Sequence, residues 1–271
     1  MLNAFRLDEV RRVRPLIHCI SNIVSANDCA NLVLAAGASP VMAQAPEEME
    51  HMASTAQAVV LNTGTPDREK FRACRLCGRA ARSLGKPVVL DPVGVGGSPW
   101  RLKETEGLLA EVSPSLFRVN FAEAQALLRL GGGELGVDSP GPASREERLD
   151  AALRLSRQRG AAVLLTGPED MAANGVSAWA VSGGSPRTAR ITGSGCMLSA
   201  LCGVFAAVEP DPAQAALLAA VFWKLCARRA EEWAGGRGPG SYRAALLDAA
   251  EAVTAAELAE GARLVSPVAV E

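Results

Sequence analysis

The sequence predicts an α/β protein with a largely parallel central sheet flanked by helices. Short apolar runs alternate with longer segments of helical periodicity, which is typical of the βα units that build such a sheet. Each apolar run ends in polar or glycine-rich residues, as a strand does where the chain turns. The chain has 271 residues, of which 49% are hydrophobic, enough for one sizeable core. We therefore expect a single domain that spans residues 1–271.

Predicted strands and helices alternate regularly as far as residue 166. The apolar runs place strands at 16–20, 38–43, 58–62, 87–91, 115–120 and 161–166. Helical periodicity between them places helices at 26–36, 46–55, 66–84, 100–111, 122–130 and 145–158. Several of these helices have Pro in the first turn, where the helix needs no backbone N–H. Residues 131–144 are rich in Gly and Pro and predict a surface loop.

The remainder of the chain departs from this alternation. Residues 170–191 predict short antiparallel strands. Everything after Gly195 is predicted to be helical, in segments at 195–208, 212–234 and 241 to about 260. The expected architecture is therefore a parallel α/β core followed by antiparallel strands and a helical C-terminal part.

Charge and hydropathy favour a small-molecule partner. Lys and Arg total 28 against 29 Asp and Glu, so no basic field attracts nucleic acid or anionic lipid. The N-terminal MLNAFRLDEVRRVRP is charged where a secretion signal needs an apolar run. No segment approaches the ~18 uninterrupted apolar residues of a membrane span. We expect a cytoplasmic protein whose seven cysteines are reduced, with no nucleic-acid or membrane partner.

Two common nucleotide-binding motifs are missing. The sequence contains no G-x-x-x-x-G-K-[ST], and GVGGSP at 94–99 has Pro99 where a dinucleotide-binding motif needs its last glycine. These absences disfavour a P-loop kinase and a Rossmann dehydrogenase. CRLC at 74–77 is a lone C-x-x-C, and only His18 and His51 could complete a metal site with it. We therefore interpret these cysteines as helix-packing residues.

Charged side chains follow two successive strands. Asp91 begins the glycine-rich LDPVGVGG turn, and RVNFAE supplies Arg118, Asn120 and Glu123. Ligands of open α/β sheets bind beyond the carboxyl ends of the strands, where Asp91 and Glu123 could hold a hard cation. Two carboxylates and an arginine there suit a magnesium nucleotide. The alternatives are an Asx-turn at Asp91 and a capping box between Asn120 and Glu123.

The segment ITGSGCMLSA, residues 191–200, predicts an anion-binding helix start. Backbone N–H groups at a helix start lack partners within the helix, and Gly193 and Gly195 let a phosphate approach them. The positive end of the helix is expected to lower the pKa of the Cys196 thiol from about 8.5 to about 7, so that it accepts a proton from an alcohol. The alternatives are an ordinary Thr or Ser cap and a cysteine that is only a small buried hydrophobe.

Seven collinear blocks carry a resemblance to one family across nearly the whole chain. They are LIHCISNIVSANDCANLVLAAGASPVMAQAPEEM, LNTGT, VVLDPVGVGGSPWR, LFRVNFAEA, VLLTGPED, ITGSGCMLSA and GPGSYRAALLDA. These blocks resemble those of hydroxyethylthiazole kinase, a ribokinase-like enzyme of thiamin salvage. The block from HCISN to SPVMA is specific to that family.

The resemblance implies an activity and an assembly. It implies a ribokinase-like fold and ATP-dependent phosphorylation of the primary alcohol of 4-methyl-5-(2-hydroxyethyl)thiazole, with Mg²⁺ as the metal. It also implies a homotrimer whose substrate pockets lie between neighbouring subunits. ATP and the thiazole alcohol are thus the expected small-molecule partners.

The resemblance also implies roles for individual residues. Cys196 stands where most of the ribokinase-like group has an aspartate base. By matched position the expected residues are Cys196, Gly193 and Gly195 for catalysis, Met42, Gly193 and Asn22 for the thiazole, Arg118, Thr166 and Asn120 for ATP, and Asp91 and Glu123 for the metal.

Two departures from the family pattern keep other functions open. Val119 replaces the usual glycine between the arginine and the asparagine, with Phe121 two residues on, and 181–190 lacks the usual N-G-H. One alternative is a kinase for another small hydroxymethyl heterocycle such as hydroxymethylpyrimidine, against which Cys196 and Met42 argue. The other is a non-catalytic ligand-binding protein on the same fold, against which the combination of carboxylates, arginine and cysteine argues.

Overall fold

The computed structural model describes residues 2–130 and 143–269, and the strands in these ranges form one sheet. The strands are β1 (Leu16–Ile20), β2 (Ser39–Val41), β3 (Ala58–Asn62), β4 (Val88–Asp91), β5 (Leu116–Asn120), β6 (Ala162–Thr166), β7 (Asp170–Ala173), β8 (Ala178–Val181) and β9 (Val265–Val268). The α-helices are α1 (Phe5–Val13), α2 (Ala26–Ala35), α3 (Met49–Thr55), α4 (Arg68–Ser83), α5 (Pro99–Glu111), α6 (Phe121–Leu130), α7 (Arg145–Arg159), α8 (Ser194–Ala206), α9 (Pro212–Ala234), α10 (Pro239–Ala252) and α11 (Ala255–Glu260). Most of the predicted loop at 131–144 lies outside the described residues.

The sheet has the order β2-β1-β3-β4-β5-β6-β7-β8-β9. Neighbouring strands are parallel from β2 through β6 and antiparallel from β6 to β9. The prediction of a largely parallel sheet flanked by helices is therefore confirmed. The register pairs Asn62 with Asp91 and Asn120 with Thr166, so polar residues at the carboxyl ends of four strands share one edge of the sheet.

Two hydrophobic clusters cover the two faces of the sheet. Val60 and Val89 pack on the face that holds α8 and α9, whereas Val59 and Leu90 pack on the opposite face against α4 and α5. The central strands β3 and β4 are buried throughout, as expected for parallel strands that helices cover on both sides. No helix among the described residues has the length and hydropathy needed to cross a bilayer.

The predicted helical C-terminal part is wrong in one respect. Residues 265–268 form β9, which pairs antiparallel with β8 at the end of the sheet. Pro267 has no N–H to donate, and an edge strand tolerates that loss because only one of its sides is paired. The predicted helix at 241–260 is divided in two, because Thr254 caps α11 through a capping box with Glu257.

Two further segments differ from the sequence prediction. Residues 186–190 form a short 3-10 helix rather than part of a strand, and Ser185 caps it by accepting from the Arg187 N–H. Helix α1 was not predicted; it buries Leu7 and Val10 in the cluster on the α8 face. Its charged residues lie on the more exposed side of this amphipathic helix.

Candidate active site

Asp91 occupies the centre of the polar edge of the sheet. Its side chain is fully buried, and Oδ2 accepts hydrogen bonds from Asn62 Nδ2 at 2.8 Å and from Ser199 Oγ at 2.7 Å. Oδ1 has no hydrogen-bond partner and lies 3.6 Å from Nη1 of Arg118. Burial raises the pKa of Asp91, and the nearby Arg118 guanidinium only partly opposes this effect. The carboxylate therefore keeps one oxygen available for a cation or a donor.

A chain of amide groups connects Asp91 to Cys196. Oδ1 of Asn62 accepts from Nδ2 of Asn22 at 3.1 Å and from the Gly64 N–H at 2.9 Å. The same Nδ2 of Asn22 lies 3.2 Å from Sγ of Cys196. The predicted residues Asn22, Asp91 and Cys196 thus belong to one buried network, although they come from three distant segments of the chain.

The start of α8 has the geometry of an anion-binding site. Gly193 is the N-cap with φ of +78°, and no side chain caps the helix, so the alternative of an ordinary Thr or Ser cap is wrong. Within the described residues, no backbone carbonyl accepts from the N–H groups of Gly195 and Cys196. These donors, together with the positive end of the helix dipole, suit a phosphate.

Arg118 lies directly against this helix start. A Cβ atom at position 195 would be 2.5 Å from Nη2 of Arg118, so any other residue here would require the guanidinium to move. Nη2 donates to Oγ1 of Thr166 at 2.7 Å. Burial alone would lower the pKa of Arg118, but the carboxylates of Asp91 and then Glu123 outweigh it and raise that pKa. The guanidinium is therefore a permanent positive charge beside the free N–H groups.

A cavity of about 580 Å³ opens onto these groups. Its lining includes Arg118, Thr166, Ser194, Gly195 and Lys224. Gly183, Gly184, Ser185 and Pro186 line it from the segment that lacks the N-G-H pattern. The volume suits a nucleotide, and the lining brings a backbone donor at Gly195 together with the Arg118 guanidinium.

The expected thiazole residues lie outside this cavity. Met42 follows the carboxyl end of β2, next to β1 and Asn22 in the sheet, and is half-buried. Gly193 lies close to Ser25, since a Cβ there would be 2.6 Å from Cβ of Ser25. These residues therefore lie at the same sheet edge as the cavity without lining it.

The expected activation of Cys196 by the helix start is wrong. Burial raises the pKa of this thiol, the nearby Asp91 carboxylate raises it further, and hydrogen bonds from groups such as Asn22 only partly oppose this. The side chain is only 9% exposed, and such burial disfavours the charged thiolate. Cys196 is consequently a protonated thiol at neutral pH.

Asn120 and Glu123 form a capping box, which the sequence allowed as the alternative to a ligand-binding role. Oδ1 of Asn120 accepts from the Glu123 N–H, and Oε2 of Glu123 accepts from the Asn120 N–H, each at 2.9 Å. Oε1 of Glu123 accepts from the Gly94 N–H at 2.9 Å, which holds the glycine-rich turn after β4. A second cavity, of about 310 Å³, lies between this turn and α6. Asn120 and Glu123 therefore stabilise the local backbone, whatever they bind.

The fit of a cation depends mainly on Asp91. The described residues hold no cluster of three or more His, Cys, Asp or Glu side chains. The free Oδ1 of Asp91 and the second lone pairs of Glu123 match a cation that keeps most of its water and phosphate ligands, as Mg²⁺ does. A fully protein-coordinated metal centre is not present among these residues.

Asn62 and Ser199 are central to the site, although neither was a candidate from a motif. Ser199 lies three residues after Cys196, which puts both on neighbouring positions of one helix face. Asn62 ends β3 and pairs in register with Asp91. Asn62 is also the last residue of the predicted strand 58–62, and this place at a carboxyl end is the sequence signal that marks it for a site.

Comparison with known proteins agrees with this geometry. The model of the hydroxyethylthiazole kinase family matches residues 7–256. The hydroxyethylthiazole kinase of Listeria monocytogenes is 41% identical over 92% of this chain and 92% of its own length. That of Granulibacter bethesdensis is 43% identical over 97% of this chain and 94% of its own.

Solved structures support the same assignment. The structure of a hydroxyethylthiazole kinase protein from Pyrococcus horikoshii has a TM-score of 0.87 and 36% identity, covering 97% of this chain and 98% of that one. A pyridoxal kinase from Staphylococcus aureus, with a TM-score of 0.61 and 16% identity over 79% of this chain and 88% of that one, shares the fold. The predicted ribokinase-like fold is thus confirmed, and the chain belongs to the hydroxyethylthiazole kinase family.

Proposed function

We propose that this protein transfers the terminal phosphoryl group of ATP to the primary alcohol of 4-methyl-5-(2-hydroxyethyl)thiazole. The proposal depends on one arrangement: Gly195, whose N–H has no backbone partner among the described residues, lies against the guanidinium of Arg118, and both line a nucleotide-sized cavity. Membership of the hydroxyethylthiazole kinase family supports the same reaction.

Some residues of the site neutralise the charge of the phosphoryl group, and others orient the alcohol. The N–H groups at the start of α8 and Arg118 neutralise the phosphoryl oxygens, while Thr166 holds the guanidinium in place. The alcohol oxygen attacks phosphorus as the bond to ADP breaks. Phosphoryl transfer through a loose transition state needs no strong base, so the hydroxyl proton can leave late, to a phosphoryl oxygen or solvent. Asn22 and the Cys196 thiol orient the alcohol.

We also propose Mg²⁺ as the divalent metal of the reaction. When bound, it would neutralise charge on the phosphate oxygens. The buried Asp91 would hold it through the unpartnered Oδ1, and Glu123 would reach it through water because both of its oxygens accept backbone N–H groups. Asp91→Asn should lower kcat by about 10²-fold and weaken Mg²⁺ activation. Full activity of this variant at wild-type Mg²⁺ concentrations would remove Asp91 from the metal site.

We propose that the thiazole occupies a pocket formed by Met42, Asn22 and Gly193 and completed by a neighbouring subunit in a homotrimer. Next to Asn22, Ile23 is 86% exposed and Val24 is 57% exposed, as expected for apolar side chains that another subunit covers. Sedimentation equilibrium should give three times the chain mass. Ile23→Asp should dissociate the assembly and abolish thiazole binding, and a fully active monomer would contradict the proposal.

The single-domain prediction and the cytoplasmic location also remain proposals. A single sheet for all described strands supports one ribokinase-like domain, 1–271. Seven cysteines, all free and buried, suit the reducing cytoplasm.

The decisive assay follows ADP release from ATP and Mg²⁺ with each of two alcohols. The thiazole alcohol should give the higher kcat/KM. For hydroxymethylpyrimidine kcat/KM should be at least ~10²-fold lower, because a ring of different shape and polarity makes different contacts in the proposed thiazole pocket. Preference for the pyrimidine would support the alternative kinase. The non-catalytic alternative was motivated by Val119, whose side chain is fully buried in the core and lines neither cavity described. Thiazole binding without ADP release would support the alternative of a non-catalytic ligand-binding protein.

A further inference from the structure

A buried lysine lies behind the acceptor side of the site. Lys70, in the first turn of α4, is only 2% exposed. Its Nζ donates to the carbonyl of Ser21 and to the carbonyl of Gly64, each at 2.8 Å. Within the described residues no carboxylate lies within ion-pair distance of this ammonium group. The protein therefore desolvates a cation to bind two backbone carbonyls, which is an expensive arrangement for packing alone.

The two carbonyls belong to the loops that carry the acceptor network. Ser21 directly precedes Asn22 at the end of β1, and Gly64 follows the end of β3. The Gly64 N–H donates to Oδ1 of Asn62, the same atom that accepts from Nδ2 of Asn22. Lys70 thus fixes both loops on one side of the Asn22–Asn62 contact.

Lys70 is connected to Cys196 through the β1 loop, because it binds Ser21 and the next residue, Asn22, donates to the thiol. Burial lowers the pKa of Lys70, and the nearby cysteines, Cys74 first, with Asp67 and Cys196, act in the opposite direction. Since Cys196 accepts from Asn22, displacement of the β1 loop would move Asn22 relative to the thiol. Lys70 is buried, however, and touches none of the reacting groups itself.

We propose that Lys70 is a positioning residue for the alcohol acceptor: by binding the carbonyls of Ser21 and Gly64, it holds Asn22 against Cys196. The inference rests on the proposed kinase activity. It assigns to Lys70 an effect on the alcohol side and none on the nucleotide cavity, whose described lining does not include it.

The chain contains a matched control for the same type of contact. Nζ of Lys86 donates to the carbonyls of Ser54 and Ala56, each at 2.5 Å. Lys86 lies just before β4 and Ala56 just before β3, so this contact joins two loops at the opposite edge of the sheet. Lys86→Met therefore removes a two-carbonyl contact remote from the network, although Lys86 is half-buried where Lys70 is buried.

The experiment compares Lys70→Met, Lys70→Gln and Lys86→Met in the full chain. Steady-state KM values are measured for the thiazole alcohol at saturating ATP and for ATP at saturating alcohol, with thermal melting as a check on folding. Lys70→Met should raise KM for the alcohol about tenfold, with KM for ATP within twofold of wild type. Lys70→Gln keeps one amide donor and should lose less. Lys86→Met should lower the melting temperature without changing either KM.

The outcomes separate this inference from the proposed function. An inactive wild-type protein would defeat the proposed function. An active wild type in which folded Lys70→Met, or Lys70→Gln where only that variant folds, keeps a KM for the alcohol within twofold would overturn only the role of Lys70. Equal changes in both KM values would also overturn it. Failure of both Lys70 variants to fold, while Lys86→Met folds, would assign Lys70 to stability and overturn the positioning role.

Discussion

Nδ2 of Asn22 donates to Sγ of Cys196 at 3.2 Å, although 174 positions separate the two residues in the chain. This contact connects the end of β1 to the first turn of α8. It sets the acceptor side of the site directly beside the N–H groups that suit a phosphate. Relative motion of these two elements is therefore expected to raise KM for the alcohol more than KM for ATP.

Cys196→Ala tests whether the thiol orients the alcohol or acts as its base. Because burial raises the pKa of Cys196, little thiolate exists at neutral pH. We expect kcat to fall by about tenfold or less, well short of the 10²–10⁴-fold loss typical of a removed general base. The matched control, Cys202→Ala, changes a fully buried thiol of the same helix and should leave kcat unchanged. A loss of ~10²-fold or more, together with loss of an alkaline rise in the pH–kcat profile, would restore the general base.

Gly195→Ala tests the contact between α8 and Arg118. The new Cβ would lie 2.5 to 2.7 Å from the guanidinium atoms, which must then move. KM for ATP should rise about tenfold, although the N–H at position 195 is retained. Gly236→Ala is the control, since a Cβ there meets nothing within 4 Å. Equal KM values for the two variants in an ADP-release assay would show that Arg118 can relax freely.

Thr166→Val removes the hydroxyl that accepts from Nη2 of Arg118. The guanidinium, whose Nε already lacks a partner, would lose a hydrogen bond of about 1.5–3 kcal/mol. We expect kcat/KM for ATP to fall by about tenfold or more. Thr166→Ser keeps the hydroxyl and should retain most of the activity. If the two variants were equally active, the Arg118 to Thr166 contact would have no role in ATP use.

How much of this site the sequence predicts depends on how local each signal is. Gly193 and Gly195 are recognisable because two closely spaced glycines stand directly before a helical segment, so the whole signal is local. The strand pattern likewise predicts β1 and β3 with their observed bounds. The strand-end position marks Asn62 but not its partner Asp91, and Ser199 and Lys70 act through partners from distant segments that no local pattern reveals. The sequence also could not predict that the pKa of Cys196 is raised, because the direction of the shift depends on burial in the folded core.

Stability should decrease in alkaline solution. Burial raises the pKa of Cys29, Cys74, Cys77 and Cys202 to about 12, from a usual value of 9.0. The stabilisation is complete below pH 9. Above it the unfolded chain releases thiol protons that the folded chain keeps, so the free energy of unfolding falls by about 1.4 kcal/mol per pH unit for each thiol. Urea unfolding at pH 8, 9.5 and 10.5 measures how steeply the free energy of unfolding falls with pH. Cys74→Ala should make this slope shallower by about 1.4 kcal/mol per pH unit, the contribution of one thiol. A slope unchanged in Cys74→Ala would contradict the assignment.

The most direct test of the proposed site is a crystal structure with the thiazole alcohol, Mg²⁺ and a non-hydrolysable ATP analogue. We predict the terminal phosphate within hydrogen-bond distance of the N–H groups of Gly195 and Cys196 and of the Arg118 guanidinium, with the alcohol oxygen between that phosphate and Asn22. A terminal phosphate bound elsewhere, with the start of α8 facing only solvent, would contradict the account.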